Sequence, residues 1–114
     1  MLINQSILQA SFLPLRSQAA SESLRVQMAQ IFKILADPTR LAVLGELLEV
    51  ELCVGEISAR TGLTQSSVSH HLKTLREADM VRRRRQGKQI YYRLADSHVT
   101  ALLAVARDHA RESL

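Results

Sequence analysis

Two short amphipathic runs that meet at a single glycine, Gly62, limit what this chain can become. Upstream, Ile57 and Ser58 belong to a short helical stretch, VGEISART. Downstream, Val68, Leu72 and Leu75 recur at steps of four and three, which is one face of a second helix. Leu63 stands at the corner and Thr64 is placed to cap the second helix. A glycine at such a corner supplies a backbone with positive φ at little steric cost. A short helix, a glycine turn and a second helix free on its outer face form a helix-turn-helix, which admits its second helix to a DNA major groove. Many helical hairpins share that outline, so the flanking sequence has to decide.

The segment after the second helix is more specific. Val81 to Arg85 and Gln89 to Leu94 flank a Gln86-Gly87-Lys88 turn and read as a β-hairpin. Ile90, Tyr92 and Leu94 alternate with Gln89, Tyr91 and Arg93, which predicts one buried face and one open face. Arg82, Arg83, Arg84, Arg85, Lys88 and Arg93 fall within twelve residues, against a net charge of only +4 for the chain. That concentration of charge points to a polyanionic partner, and the hairpin is a wing. The arginine run would also suit a solvated strand edge that resists pairing.

The rest of the chain is helical in pattern, with only four glycines and two prolines in 114 residues. Leu24, Met28, Ile31 and Leu35 form an apolar stripe from about Ser21. Asp37 and Pro38 then suit an N-cap and a first helical position, and Leu41, Leu44, Leu47 and Leu48 are the expected inner face of the next helix. The expected architecture is mostly α with a small β-hairpin, a winged helix-turn-helix that pairs into a homodimer through its N- and C-terminal helices. Residues 1–20, apolar but interrupted at Pro14, are expected to be an extension, and residues 21–114 the domain. No apolar run reaches the ~18 residues of a membrane span. The first 21 residues lack the layout of a signal peptide, and the single Cys53 has no partner for an internal disulfide. A cytoplasmic protein is expected.

With Val68, Leu72 and Leu75 turned inward, Ser66, Ser69, His70 and Lys73 turn outward at 100° per residue, with Gln65 at the exposed start. Short polar side chains there suit base-edge readout of double-stranded DNA, and glutamine can bond adenine bidentately. The same residues also fit an ordinary solvated face. His71 falls at the margin of the inner face and is expected to be packed rather than base-reading.

The last helix, ADSHVTALLAVARDHARES, carries Asp96-x-His98 near its start and His109-x-x-Glu112 near its end. Carboxylate and imidazole donors suit zinc. His98 and His109 share a helix face but lie eleven residues apart, a rise of ~16 Å. Two ligands of one zinc, each ~2.1 Å from it, lie only a few ångströms apart. Cooperation therefore requires a second, antiparallel copy, so that Asp96 and His98 of one subunit meet His109 and Glu112 of the other, giving two zinc sites per dimer. His98, Leu102, Val105, His109 and Glu112 form a heptad-like seam for that contact, while Val99, Leu103, Ala106 and Ala110 are left to the subunit's own core. Taken singly, Asp96 is a good N-cap, either histidine an interface residue and Glu112 a solvated charge. A small zinc hydrolase fits poorly, since four protein ligands leave no position for reactive water.

ILADPTRLAVL, ELCVGEIS, TQSSVSHHLKTLREADMV, RQGKQIYYRL and the D-x-H…H-x-x-E spacing together resemble the ArsR/SmtB family of metal-sensing winged-helix repressors, especially its zinc-sensing SmtB-like branch. The resemblance runs from about Ser21 to Glu112. It implies a homodimer on a pseudo-palindromic operator, released by metal at Asp96, His98, His109 and Glu112. Some relatives join N-terminal Cys or His residues to a Cys-x-x-Asp before the turn. Here Cys53-x-x-Glu56 remains, but residues 1–30 contain neither Cys nor His, so that second site is expected to be absent or weak.

Overall fold

The computed structural model describes residues 18–114, with side chains from Glu22 onward. Residues 1–17 of the expected extension lie outside the described residues. Helix α1 spans Gln18–Leu35, α2 Pro38–Glu46, α3 Val54–Thr61, α4 Gln65–Glu77 and α5 Ser97–Glu112. Strands β1 (Leu52–Cys53), β2 (Val81–Gln86) and β3 (Gln89–Leu94) form one antiparallel sheet in the order β1-β3-β2. The first helix thus starts three residues before the expected Ser21.

Local chemistry explains the boundaries. Asp37 closes the gap between α1 and α2: its Oδ1 accepts the N–H of Thr39 at 2.9 Å and of Arg40 at 3.2 Å, and Pro38 opens the helix with a fixed φ. Helix α3 ends at Gly62, whose φ of 78° is the left-handed conformation a side chain resists. Helix α4 begins where Thr64 Oγ1 accepts the Ser67 N–H at 3.1 Å. Between β2 and β3 the turn is two residues, Gly87 and Lys88, because Gln86 still pairs with Gln89; Gly87 has φ 62°.

One core binds these elements. Val43, Leu44, Ile57, Val68, Leu72 and Leu75 are completely covered, and Leu47, Leu52, Met80, Val81, Tyr92, Leu94, Val99 and Leu103 complete it. Four expectations need correction. Leu41 is 43% exposed and Val43 takes its place in the core. At ~100° per residue the inward arc is set by Val43, Leu44 and Leu47, and Leu41 falls roughly 115° from its centre. Ile90 is 37% exposed although it shares a face with buried Tyr92 and Leu94, because the hairpin runs past the core and only its base is covered. Ala106 and Ala110 are exposed: α5 meets the core through Val99, Leu102 and Leu103 and then projects from it. On α1 only Leu35 of the predicted stripe is buried, while Leu24 and Met28 are half-buried and Ile31 is exposed alongside Val26 and Phe32.

Candidate nucleic-acid interface and metal centre

The turn before α4 is fixed by a set of short bonds. The Gly62 N–H donates to Ser58 O at 2.9 Å, Ser58 Oγ to Leu63 O at 2.6 Å, and Thr61 Oγ1 to Ile57 O at 2.7 Å. With Val68, Leu72 and Leu75 fully covered, α4 cannot rotate without uncovering them, so its outer face is fixed too. Gln65, Ser66, Ser69, His70 and Lys73 are all exposed on it, as the periodicity predicts. His71 is half-buried, with its Nδ1 covered and without a hydrogen-bond partner, and its ring meets that of His70 edge-on at 5.7 Å. The packed role expected for His71 fits that position.

Arg82, Arg83, Arg84, Arg85 and Lys88 are likewise exposed along β2 and its turn. They are not equivalent. Arg84 Nε donates to Glu51 Oε2 at 2.6 Å and Nη1 to Gln86 Oε1 at 2.7 Å, and its guanidinium carbon lies 5.1 Å from the centre of the Tyr91 ring. Glu51 and the strand β1 beside it are features that sequence reasoning missed. Two residues are too few to show alternation, and Arg84 and its partner Glu51 are separated by 33 positions.

Asp96 and His98 sit together at the start of α5. Asp96 Oδ1 accepts the Val99 N–H at 3.1 Å as the N-cap, and His98 Nδ1 lies 3.8 Å from the same oxygen. His109 and Glu112 are exposed at the other end of the helix. The two pairs are not brought together within the chain, and among the described residues no three Cys, His, Asp or Glu side chains converge. The pairs are of a donor type that fits zinc, but each is half a coordination shell. The Cys53 backbone N–H donates to Glu56 Oε1 at 3.1 Å, and this bond holds the Glu56 carboxyl below its ordinary pKa. That pair therefore acts at the start of α3 as half of a capping box.

A helix-turn-helix with a cationic three-stranded wing defines a winged helix-turn-helix protein. The family model described as "Bacterial regulatory protein, arsR family" matches residues 37–83. A transcriptional repressor SmtB homolog from Synechocystis is 45% identical over 87 residues, which cover 76% of this chain and 66% of the relative, just under two thirds of its length. A cadmium resistance transcriptional regulatory protein CadC homolog from Staphylococcus aureus is 38% identical over 88 residues, 76% of this chain and 73% of that one. Among solved structures, the homodimeric winged helix-turn-helix DNA-binding domain of a possible ArsR-family regulator from Mycobacterium bovis superposes with a TM-score of 0.77 at 32% identity, covering 86% of this chain and 91% of that one. The chain belongs to the arsR family of bacterial regulatory proteins.

Proposed function

We propose that this protein is a zinc-responsive transcriptional repressor that binds operator DNA as a homodimer in the cytoplasm. Gln65, Ser66, Ser69, His70 and Lys73 face the base edges from α4, while the wing that carries Arg82 to Arg85 and Lys88 lies along the phosphate backbone. Dimerisation through α1 and α5 is supported by a groove of about 960 Å³ between α1, the end of α4 and the start of α5, bordered by Ile31, Ile34, Met80, Val99 and Leu102. The exposure of Val26 and Phe32 on α1 supports the same contact. Among the described residues no helix is long and apolar enough to cross a membrane.

The observation that carries the metal reading is the placement of two exposed ligand pairs at opposite ends of one projecting helix. Asp96 and His98 of one copy, with His109 and Glu112 of the other, would hold zinc at two equivalent positions per dimer. Bound there, the metal supplies a cross-link between the two α5 helices. A nitrogen and oxygen donor set without thiolate favours zinc over a soft ion such as cadmium, which the Staphylococcus relative's name mentions. His109 is exposed in the single chain, so the link from the dimer seam to α4 would form only on ligation, when the ring's second nitrogen would be free to bond the subunit's own DNA-binding helices.

Ligation and operator binding then oppose each other, with a coupling of ~1–3 kcal/mol, or roughly 5- to 150-fold in affinity. By linkage, operator DNA weakens ligation by the same factor. The test is fluorescence anisotropy of an operator selected from a random duplex pool, titrated with protein at increasing zinc. The wild type is expected to lose affinity and His109→Ala to keep it. Affinity that zinc leaves unchanged or raises would establish a structural metal, or none, in place of a sensor.

A further inference from the structure

The four consecutive arginines of the wing look alike in the sequence, and the sheet register separates them. Residues directly opposite one another in an antiparallel pair share a face. Arg83 lies opposite Tyr92 and Arg85 opposite Ile90, whereas Arg82 lies opposite Arg93 and Arg84 opposite Tyr91. Tyr92 is buried in the core that also holds Val68 and Leu72 of α4, so Arg83 and Arg85 stand on the recognition-helix side of the sheet. On that side a cleft of about 460 Å³ separates Gln65 and Ser69 of α4 from Gln89, Ile90 and Tyr92 of β3. A duplex read by Gln65 and Ser69 would pass beside this cleft.

The other face is occupied differently. Arg84 has spent Nε on Glu51 and Nη1 on Gln86, and its guanidinium is set over Tyr91. Three of its five N–H donors remain, but the fork is fixed against a carboxylate and a ring, whereas Arg85 gives up only Nε, to Gly87 O at 3.1 Å within its own turn, and faces no carboxylate among the described residues. Glu51 immediately precedes β1, so the contact ties the hairpin sideways to the segment entering the sheet. Such a tie matters because the outer half of the hairpin has no core beneath it, as the exposure of Ile90 shows, and a bare two-stranded hairpin is marginal in water.

We infer that the wing divides its arginines by face, an assignment that rests on the DNA-binding reading above. Arg83 and Arg85 contact phosphates beside the recognition helix. Arg84 is a positioning residue, held by Glu51 and Tyr91, that sets the angle at which the hairpin is presented. Charge alone satisfies the first role, whereas the second needs the planar fork and stacking surface of arginine, so lysine replaces one and not the other.

The experiment is a salt titration of full-chain binding to a fluorescein-labelled mixed-sequence duplex of about 30 base pairs. Each phosphate contact contributes about 0.9 to the slope of log K against log salt. Arg83→Gln and Arg85→Gln are each expected to flatten the slope by about that amount, and Arg83→Lys to restore it. Arg84→Gln and Arg84→Lys are expected to leave the slope unchanged and to weaken binding about two- to fivefold at every salt concentration, as loss of an exposed ion pair and a stacked guanidinium would. These side chains are exposed, so melting temperatures should stay within about 2 °C of wild type. A slope that flattens in Arg84→Gln as it does in Arg83→Gln, or an Arg84→Lys that matches wild type, would overturn the division of roles while leaving DNA binding intact. A wild type that fails to bind any duplex would overturn both.

Discussion

Asp96 is assigned two tasks that a pair of substitutions can separate. Its Oδ1 caps α5 through the Val99 N–H at 3.1 Å, and its carboxylate is a proposed metal ligand. Alanine removes both functions, whereas serine keeps the cap and removes the carboxylate. An N-cap lost to alanine costs about 1 kcal/mol, and serine ranks with aspartate at this position. The cap lies beside Val99, Leu102 and Leu103, the residues that anchor α5, so fraying there reaches the core directly. With ~2.1 cal/mol/K of unfolding entropy per residue, a domain of about 100 residues converts 1 kcal/mol into about 5 °C. Thermal melts followed by circular dichroism, at one protein concentration, should place Asp96→Ala about 5 °C below wild type in chelator, with Asp96→Ser close to wild type. Added zinc should raise the wild-type midpoint by mass action, by about 2.7 kcal/mol at a hundredfold excess over Kd, and neither variant should show the full rise. If Asp96→Ser melts as low as Asp96→Ala without metal, the capping argument fails. If Asp96→Ser keeps the whole zinc-dependent rise, Asp96 is not a ligand.

Two further outcomes follow from the capping chemistry. The Asp37 carboxyl is held below its ordinary value of 3.8, chiefly by the hydrogen bond from the Arg40 backbone N–H, and Glu56 below 4.5 by that from Cys53. Both carboxyls lose protons more readily folded than unfolded, so their contribution is complete above the ordinary values and disappears as pH falls through the lowered ones. The melting temperature should therefore decline below about pH 4.5, and Asp37→Asn, which still caps but cannot take up the proton, should decline less steeply; parallel acid limbs for the two proteins would contradict this. At the helix-turn-helix corner, Gly62→Ala meets no atom within 4 Å, so its cost is backbone strain alone, about 1 kcal/mol, and chemical denaturation should show the midpoint falling with no change in m. A neutral Gly62→Ala would mean that the turn relaxes out of the left-handed region.

Much of the candidate DNA-facing surface was legible because it depends on local rules. The period of Val68, Leu72 and Leu75 fixed which side of α4 faces outward, and Thr64 and Asp37 marked helix starts by their own hydrogen-bonding chemistry. The proposed metal ligands were picked out as residue types and spacings, and a rise of ~16 Å means that His98 and His109 could share an ion only across a second helix. Periodicity was less informative where burial depends on what lies opposite. Ile90 and Ala106 have the right phase to be buried and are exposed, because among the described residues no element covers the tip of the hairpin or the far end of α5.

The sequence by itself determined the helix-turn-helix, the hairpin and the chemical character of each surface, since these follow from repeat period, capping and turn residues along a few consecutive positions. Only the tertiary structure decided how far each apolar stripe is covered, which strand joins the hairpin, and which arginine is committed to Glu51. Those outcomes depend on the meeting of residues tens of positions apart, and no local pattern encodes where a distant side chain will stand.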